Sequence, residues 1–67
     1  MKITIEIELD NAAFSNDDHF YAGELGRILA RIPTELDGRF ISELEEKGDN
    51  GNLRDYNGNN VGQWVLE

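Results

Sequence analysis

Fourteen carboxylates, one histidine and no cysteine are the groups in this chain that could do chemistry. No recognisable motif sets a nucleophile against His19, and a lone imidazole ahead of a helix start reads as a surface residue. General acid work needs a carboxyl whose pKa is raised by burial, and the carboxylates fall on faces that the hydrophobic pattern turns to solvent. No enzymatic activity and no cofactor are therefore expected. Asp55-x-Asn57-x-Asn59 carries the alternate oxygens that open a calcium loop, but Asn60 stands where that loop needs glycine and Leu66 where it needs a bidentate glutamate. Gly23-x-x-Gly26 lacks the lysine and serine of a phosphate loop. No metal site is expected. Tyr56 and Trp64 would stack bases on a basic protein; here the expected role is core or cross-strand packing.

The acidic residues remain. Fourteen Asp and Glu against six Lys and Arg give a formal charge of −8. Such a field repels nucleic acid and membranes and attracts basic surfaces, above all those built to hold nucleic acid. Solubility alone accounts for the same charge. Candidate partner-binding residues are Glu35, Asp37, Glu43, Glu45 and Glu46 on one predicted helix, with Asp49 just beyond it. Eleven helical steps span about 17 Å, or one carboxylate per ~3.4 Å, close to the phosphate spacing of one DNA strand. Arg39 and Lys47 dilute that run. The expected partner is a basic nucleic-acid-binding surface of another protein, met by a monomer without direct contact to nucleic acid or membrane.

These groups must be positioned by a small frame. A length of 67 residues makes one domain, 1–67, near the lower limit for a self-sufficient core, and no disulfide can staple it. A radius of gyration of ~11 Å is expected. The chain shows no basic-then-apolar leader and no apolar run of the ~20 residues that a membrane span needs, so a cytoplasmic location is expected.

Ile3, Ile5, Ile7 and Leu9 alternate with Lys2, Thr4, Glu6 and Glu8, which predicts a half-buried strand over 2–9. A polar connection follows, with Phe14 pinning it to the core. Asp17 and Asp18 are expected at the N-terminus of a helix over 18–31, whose apolar stripe is Tyr21, Leu25, Ile28, Leu29 and Ile32. Ile32-Pro33 predicts a break. A second helix is expected from 33 or 34 to Lys47, burying Leu36, Phe40, Ile41 and Leu44, with Gly48 at its end.

The closing segment reads as a hairpin around Asn57-Gly58, residue types that tolerate positive φ. A two-residue loop would set Leu53 against Gly62. A type I turn from Asp55 to Gly58, with Gly58 as a left-handed bulge residue, would set Leu53 against Val61, and is favoured because Asp55 can accept local N–H groups. Trp64 and Leu66 fall on the face opposite Val61 and Val65, which predicts a bulge or burial on both sides. The fold class expected is α+β, a three-stranded antiparallel sheet in strand-helix-helix-strand-strand order with two helices on one face.

The segment Leu53-Arg54-Asp55-Tyr56-Asn57-Gly58-Asn59-Asn60-Val61-Gly62, taken with Asn11-Ala12-Ala13-Phe14 and Glu24-Leu25-Gly26-Arg27-Ile28-Leu29, resembles a family of small phage and prophage proteins. In that family a strand, a Glu-Leu-Ala-Arg-Ile-Leu helix and a closing Leu-Arg-Asp-x-Asn-Gly-Asn-x-Val-Gly hairpin recur. The likeness covers most of the chain, and its motifs specify a fold rather than an activity. Gly26 and Pro33 depart from the pattern and put the single long helix in doubt. Among acidic proteins of this size the chain is similar to anti-CRISPR proteins directed at type I-C systems. That resemblance implies a phage-encoded, non-enzymatic, DNA-mimicking inhibitor that binds the Cascade complex in a bacterial host and blocks target DNA. The competing expectation is a phage structural or accessory protein that makes contacts through an apolar surface, with Tyr56 and Trp64 mattering more than the acids.

Overall fold

The computed structural model describes residues 1–67. In chain order its elements are β1 (Ile3–Ile7), β2 (Ser15–Asn16), β3 (His19–Phe20), α1 (Ala22–Leu36), α2 (Ile41–Lys47), β4 (Asp49–Arg54) and β5 (Asn60–Leu66). The antiparallel sheet has the order β1-β5-β4, and β2 and β3 form a separate two-stranded ribbon. The α+β class and the element order match the expectation. The ribbon is an addition: Asp17 and Asp18 form its turn, Asp17 at φ +53, instead of capping a helix. The N-cap of α1 is Tyr21, which supplies no side-chain cap.

The helices divide elsewhere than Pro33. α1 runs through that proline because Ile28 and Ile32, one turn apart and both buried, hold the helix on the sheet across it. Leu29, whose carbonyl loses its helical partner to the proline, lies on the exposed side. The stop is instead a type II turn: Asp37 at φ −62, ψ 135 is followed by Gly38 at φ +81, and the Arg39 N–H donates to the Leu36 carbonyl at 3.3 Å. That turn resets the helical phase. Of the residues expected to face inward from the second helix, only Leu44 is buried, while Phe40 and Ile41 are 73% and 64% exposed. Gly48 closes α2 at φ +67, as its type predicts.

The hairpin turn takes the favoured form. Gly58 N–H donates to the Asp55 carbonyl and Asp55 N–H to the Asn59 carbonyl, each at 3.0 Å, with Gly58 at φ +83. One step on, the expected register fails: Arg54 faces Asn60 and Leu53 faces Gly62, so Val61 is the extra residue of a bulge. Parity is the reason. An unbroken strand would turn Val61 away from Trp64 and Leu66, whereas the bulge buries all three. It also seats Gly62 against β1, where an added Cβ would meet the Glu6 carbonyl oxygen.

Phe14, Ile28 and Trp64 are the fully buried centre of the core, and Phe14 pins its loop as expected. Strand pairing puts Ile3, Ile5 and Ile7 on the same sheet face as Trp64 and Leu66. The helices cover β4 and β5 but do not close over β1, so Ile3 and Ile5 stay 40% exposed. Only 10 of 67 residues are buried, and this single thin layer leaves the molecule 46 × 18 × 17 Å with a radius of gyration of 13.7 Å, longer than the compact chain expected.

Candidate functional site

Carboxylates occupy two environments. Asp55, 4% exposed, is the hub of the hairpin end. Its Oδ1 accepts the N–H groups of Asn57 and Asn59, each at 2.9 Å, and its Oδ2 accepts the side-chain amides of Asn11 at 2.7 Å and Asn59 at 3.2 Å. Burial alone would push this carboxyl up; the bonds from Asn59, Asn57 and Asn11 outweigh it and hold the pKa below the usual aspartate range. Of the residues that suggested a calcium loop, Asp55 has both carboxylate oxygens tied into the turn, accepting from the backbone N–H groups of Asn57 and Asn59 and from the Asn59 side-chain amide.

Glu24 completes the hub from α1. Its Oε2 accepts the Tyr56 N–H at 2.6 Å, and its two oxygens take a two-pronged contact from Arg27 at 2.5 and 3.0 Å. The hydrogen bonds from Arg27 outweigh desolvation and, with a further contribution from the Tyr56 N–H, lower the Glu24 pKa, and Glu24 raises that of Arg27. Every backbone N–H from Asp55 to Asn59 therefore has an acceptor inside the protein. α1 starts at Ala22, and its first turn brings Glu24 to the hairpin.

The expected partner-binding carboxylates sit at the other end of α1. They do not share one helix. Glu35 is in the last turn of α1, Asp37 caps it, Glu43, Glu45 and Glu46 lie on α2, and Asp49 opens β4. The type II turn at Asp37-Gly38 breaks the continuous 17 Å line that mimicked a DNA strand. Two of the six are engaged: Glu35 Oε2 accepts the Trp64 indole N–H at 3.3 Å, and Asp49 Oδ2 lies 2.6 Å from Arg39 Nη2. Asp37, Glu43, Glu45 and Glu46 are exposed and form no ion pair. Beside them two strongly exposed large apolar side chains, Phe40 and Ile41, occupy the same elbow.

Trp64 is only 2% exposed and is core, whereas Tyr56 is 65% exposed at the hairpin tip. His19 is exposed on the β2–β3 ribbon. The largest recess, about 460 Å³, is open and lies against the bulge, with Glu6, Glu8, Asn52 and Gln63 among its walls. No helix is long and apolar enough to cross a membrane. No protein-family model, curated protein or solved structure matches the chain.

Proposed function

We propose that this chain is a phage-encoded, non-enzymatic inhibitor that sets the acidic α1–α2 elbow into a basic nucleic-acid-binding surface of a protein partner. The similarity of the chain, as a small acidic protein, to anti-CRISPR proteins directed at type I-C systems would make that partner the Cascade complex, in the cytoplasm of a bacterial host. One observation carries the proposal: Asp37, Glu43, Glu45 and Glu46 are exposed and unpaired, while Asp49 takes up Arg39, one of the two cations set among them with Lys47. A cluster left unneutralised within its own molecule keeps its field for a partner of opposite charge. The distribution is that of an acidic patch around a bend; a straight DNA-like row is not part of the proposal.

The experiment is competition between this chain and target DNA for purified type I-C Cascade. Wild type is expected to displace DNA, and reversal of the four free carboxylates to lysine is expected to abolish displacement with the fold intact. Displacement unchanged by reversal would reject the acidic elbow as the binding element. Exposed Phe40 and Ile41 favour a second reading, an accessory protein gripping its partner through an apolar contact. In that case Phe40→Ala with Ile41→Ala removes binding and the charge reversal does not.

A further inference from the structure

β1 is a bare sheet edge. It pairs only with β5, carries no proline or bulge, and leaves Ile3 and Ile5 each 40% exposed on the core face. The hydrogen-bond parity of this edge is fixed: Lys2 exchanges both backbone bonds with Glu67, and the Glu8 N–H donates to the Val61 carbonyl. The even-numbered residues thus face β5, and Ile3, Ile5 and Ile7 present their N–H and C=O groups outward. Folded proteins ordinarily blunt such an edge.

We propose that β1 pairs antiparallel with β1 of a second copy of this chain across a two-fold axis at Ile5, joining the two sheets into one. Two properties of the sequence fit this register. First, the outward groups match, because the axis sets Ile5 against Ile5 of the other copy and Ile3 against its Ile7, all residues with free backbone groups. Second, the side chains match on both faces. On the core face the exposed isoleucines meet one another, and one step beyond the strand Leu9, 39% exposed, comes opposite Met1, 67% exposed. On the other face Lys2 comes opposite Glu8 and Thr4 opposite Glu6, so the one cation of the strand meets an anion twice in each dimer. Displacing the partner strand by one residue pairs outward groups with inward ones; moving the axis to Glu6 sets that carboxylate against its own copy, and moving it to Thr4 leaves Leu9 with no residue opposite. This departs from the monomer expected from the sequence and does not depend on the identity of any other partner.

Sedimentation velocity over the micromolar to submillimolar range is the test. Wild type is expected to show a two-chain mass that dissociates on dilution. Ile5→Pro removes only an outward N–H, which an edge strand tolerates, and is expected to sediment as one chain with an unchanged circular dichroism spectrum. Lys2→Glu turns both cross-strand ion pairs into like-charge pairs and is expected to raise the dissociation constant roughly 10- to 30-fold. Adding Glu8→Lys to Lys2→Glu restores opposite charges and is expected to restore the dimer. A single-chain mass for wild type throughout overturns the proposal. So does a dimer indifferent to the charge swap, which would be assembled through another face, and this control stands even if Ile5→Pro does not fold.

Discussion

The hairpin end and the α1–α2 elbow are built from the same chemistry and use it in opposite ways. Asp55 is held by four hydrogen bonds and Glu24 by three. Asp37, Glu43, Glu45 and Glu46, at the other end of α1, are exposed and unpaired. A carboxylate surrounded by N–H donors supports its own fold, and its charge is largely answered before a partner arrives. One held at an exposed bend supports nothing locally, so its charge is available. Formal charge of −8 therefore overstates what the hairpin can offer a partner and describes the elbow well.

Removing Asp55 breaks the comparison most severely. Asp55→Ala leaves the N–H groups of Asn57 and Asn59 and the Asn11 amide without their acceptor, and is expected to lower the melting temperature by about 10 °C or more. Asp37→Ala is expected to shift it by no more than about 2 °C, as for surface substitutions generally. Thermal melts of the two variants side by side decide the point, and equal losses would erase the distinction between the two regions.

Gly58→Val comes next. No atom lies within 4 Å of a Cβ placed there, so the cost is the left-handed backbone alone, of order 1–2 kcal/mol. Urea midpoints should register this as a loss of a few tenths of the domain's several kcal/mol of stability. Asn60→Ala, which removes only a 3.3 Å bond to the Gly62 N–H, should cost less.

A smaller effect is set by pH. Asp55 in the folded state has its pKa below the unfolded value of about 3.9, so the native form binds fewer protons as the solution becomes acid. The stability from its ionised form is complete above that unfolded value and is lost as pH falls through the folded one. The stability gap between wild type and Asp55→Asn should hold constant from neutral pH to about pH 5 and close below about pH 4. A gap independent of pH would mean that the carboxylate's charge is not what holds the turn. Glu35→Gln should have the least effect, since the amide oxygen still accepts from Trp64 and the bond is long.

Much of this frame is legible in the letters, and the boundary of legibility is physical. β1 and the Asn57-Gly58 turn follow from alternation and from backbone preferences that act within a few residues. The bulge at Val61 follows from which side chains the core accepts, and the passage of α1 through Pro33 from the burial of Ile28 and Ile32 on the sheet; neither is local. The hub was hidden for the same reason: Asn11 lies 44 residues from Asp55, and Glu24 lies 32 from Tyr56. Their signal was present only as a bare Asn and a Glu-x-x-Arg pair. The acidic residues of the elbow were visible as composition, while their division between two elements, and the capture of Glu35 and Asp49 by Trp64 and Arg39, required the turn at Gly38.

The central claim, that free charge at the elbow carries recognition, is tested most directly by the salt dependence of binding to purified type I-C Cascade. Affinity is measured for wild type and for a variant carrying Asp37→Asn, Glu43→Gln, Glu45→Gln and Glu46→Gln. Wild-type affinity should fall steeply as salt shortens the screening length toward about 8 Å at physiological strength and below it, and the neutralised variant should bind weakly with a much shallower slope. Binding that is insensitive to salt and equal in the two proteins would contradict the account and transfer the contact to Phe40 and Ile41.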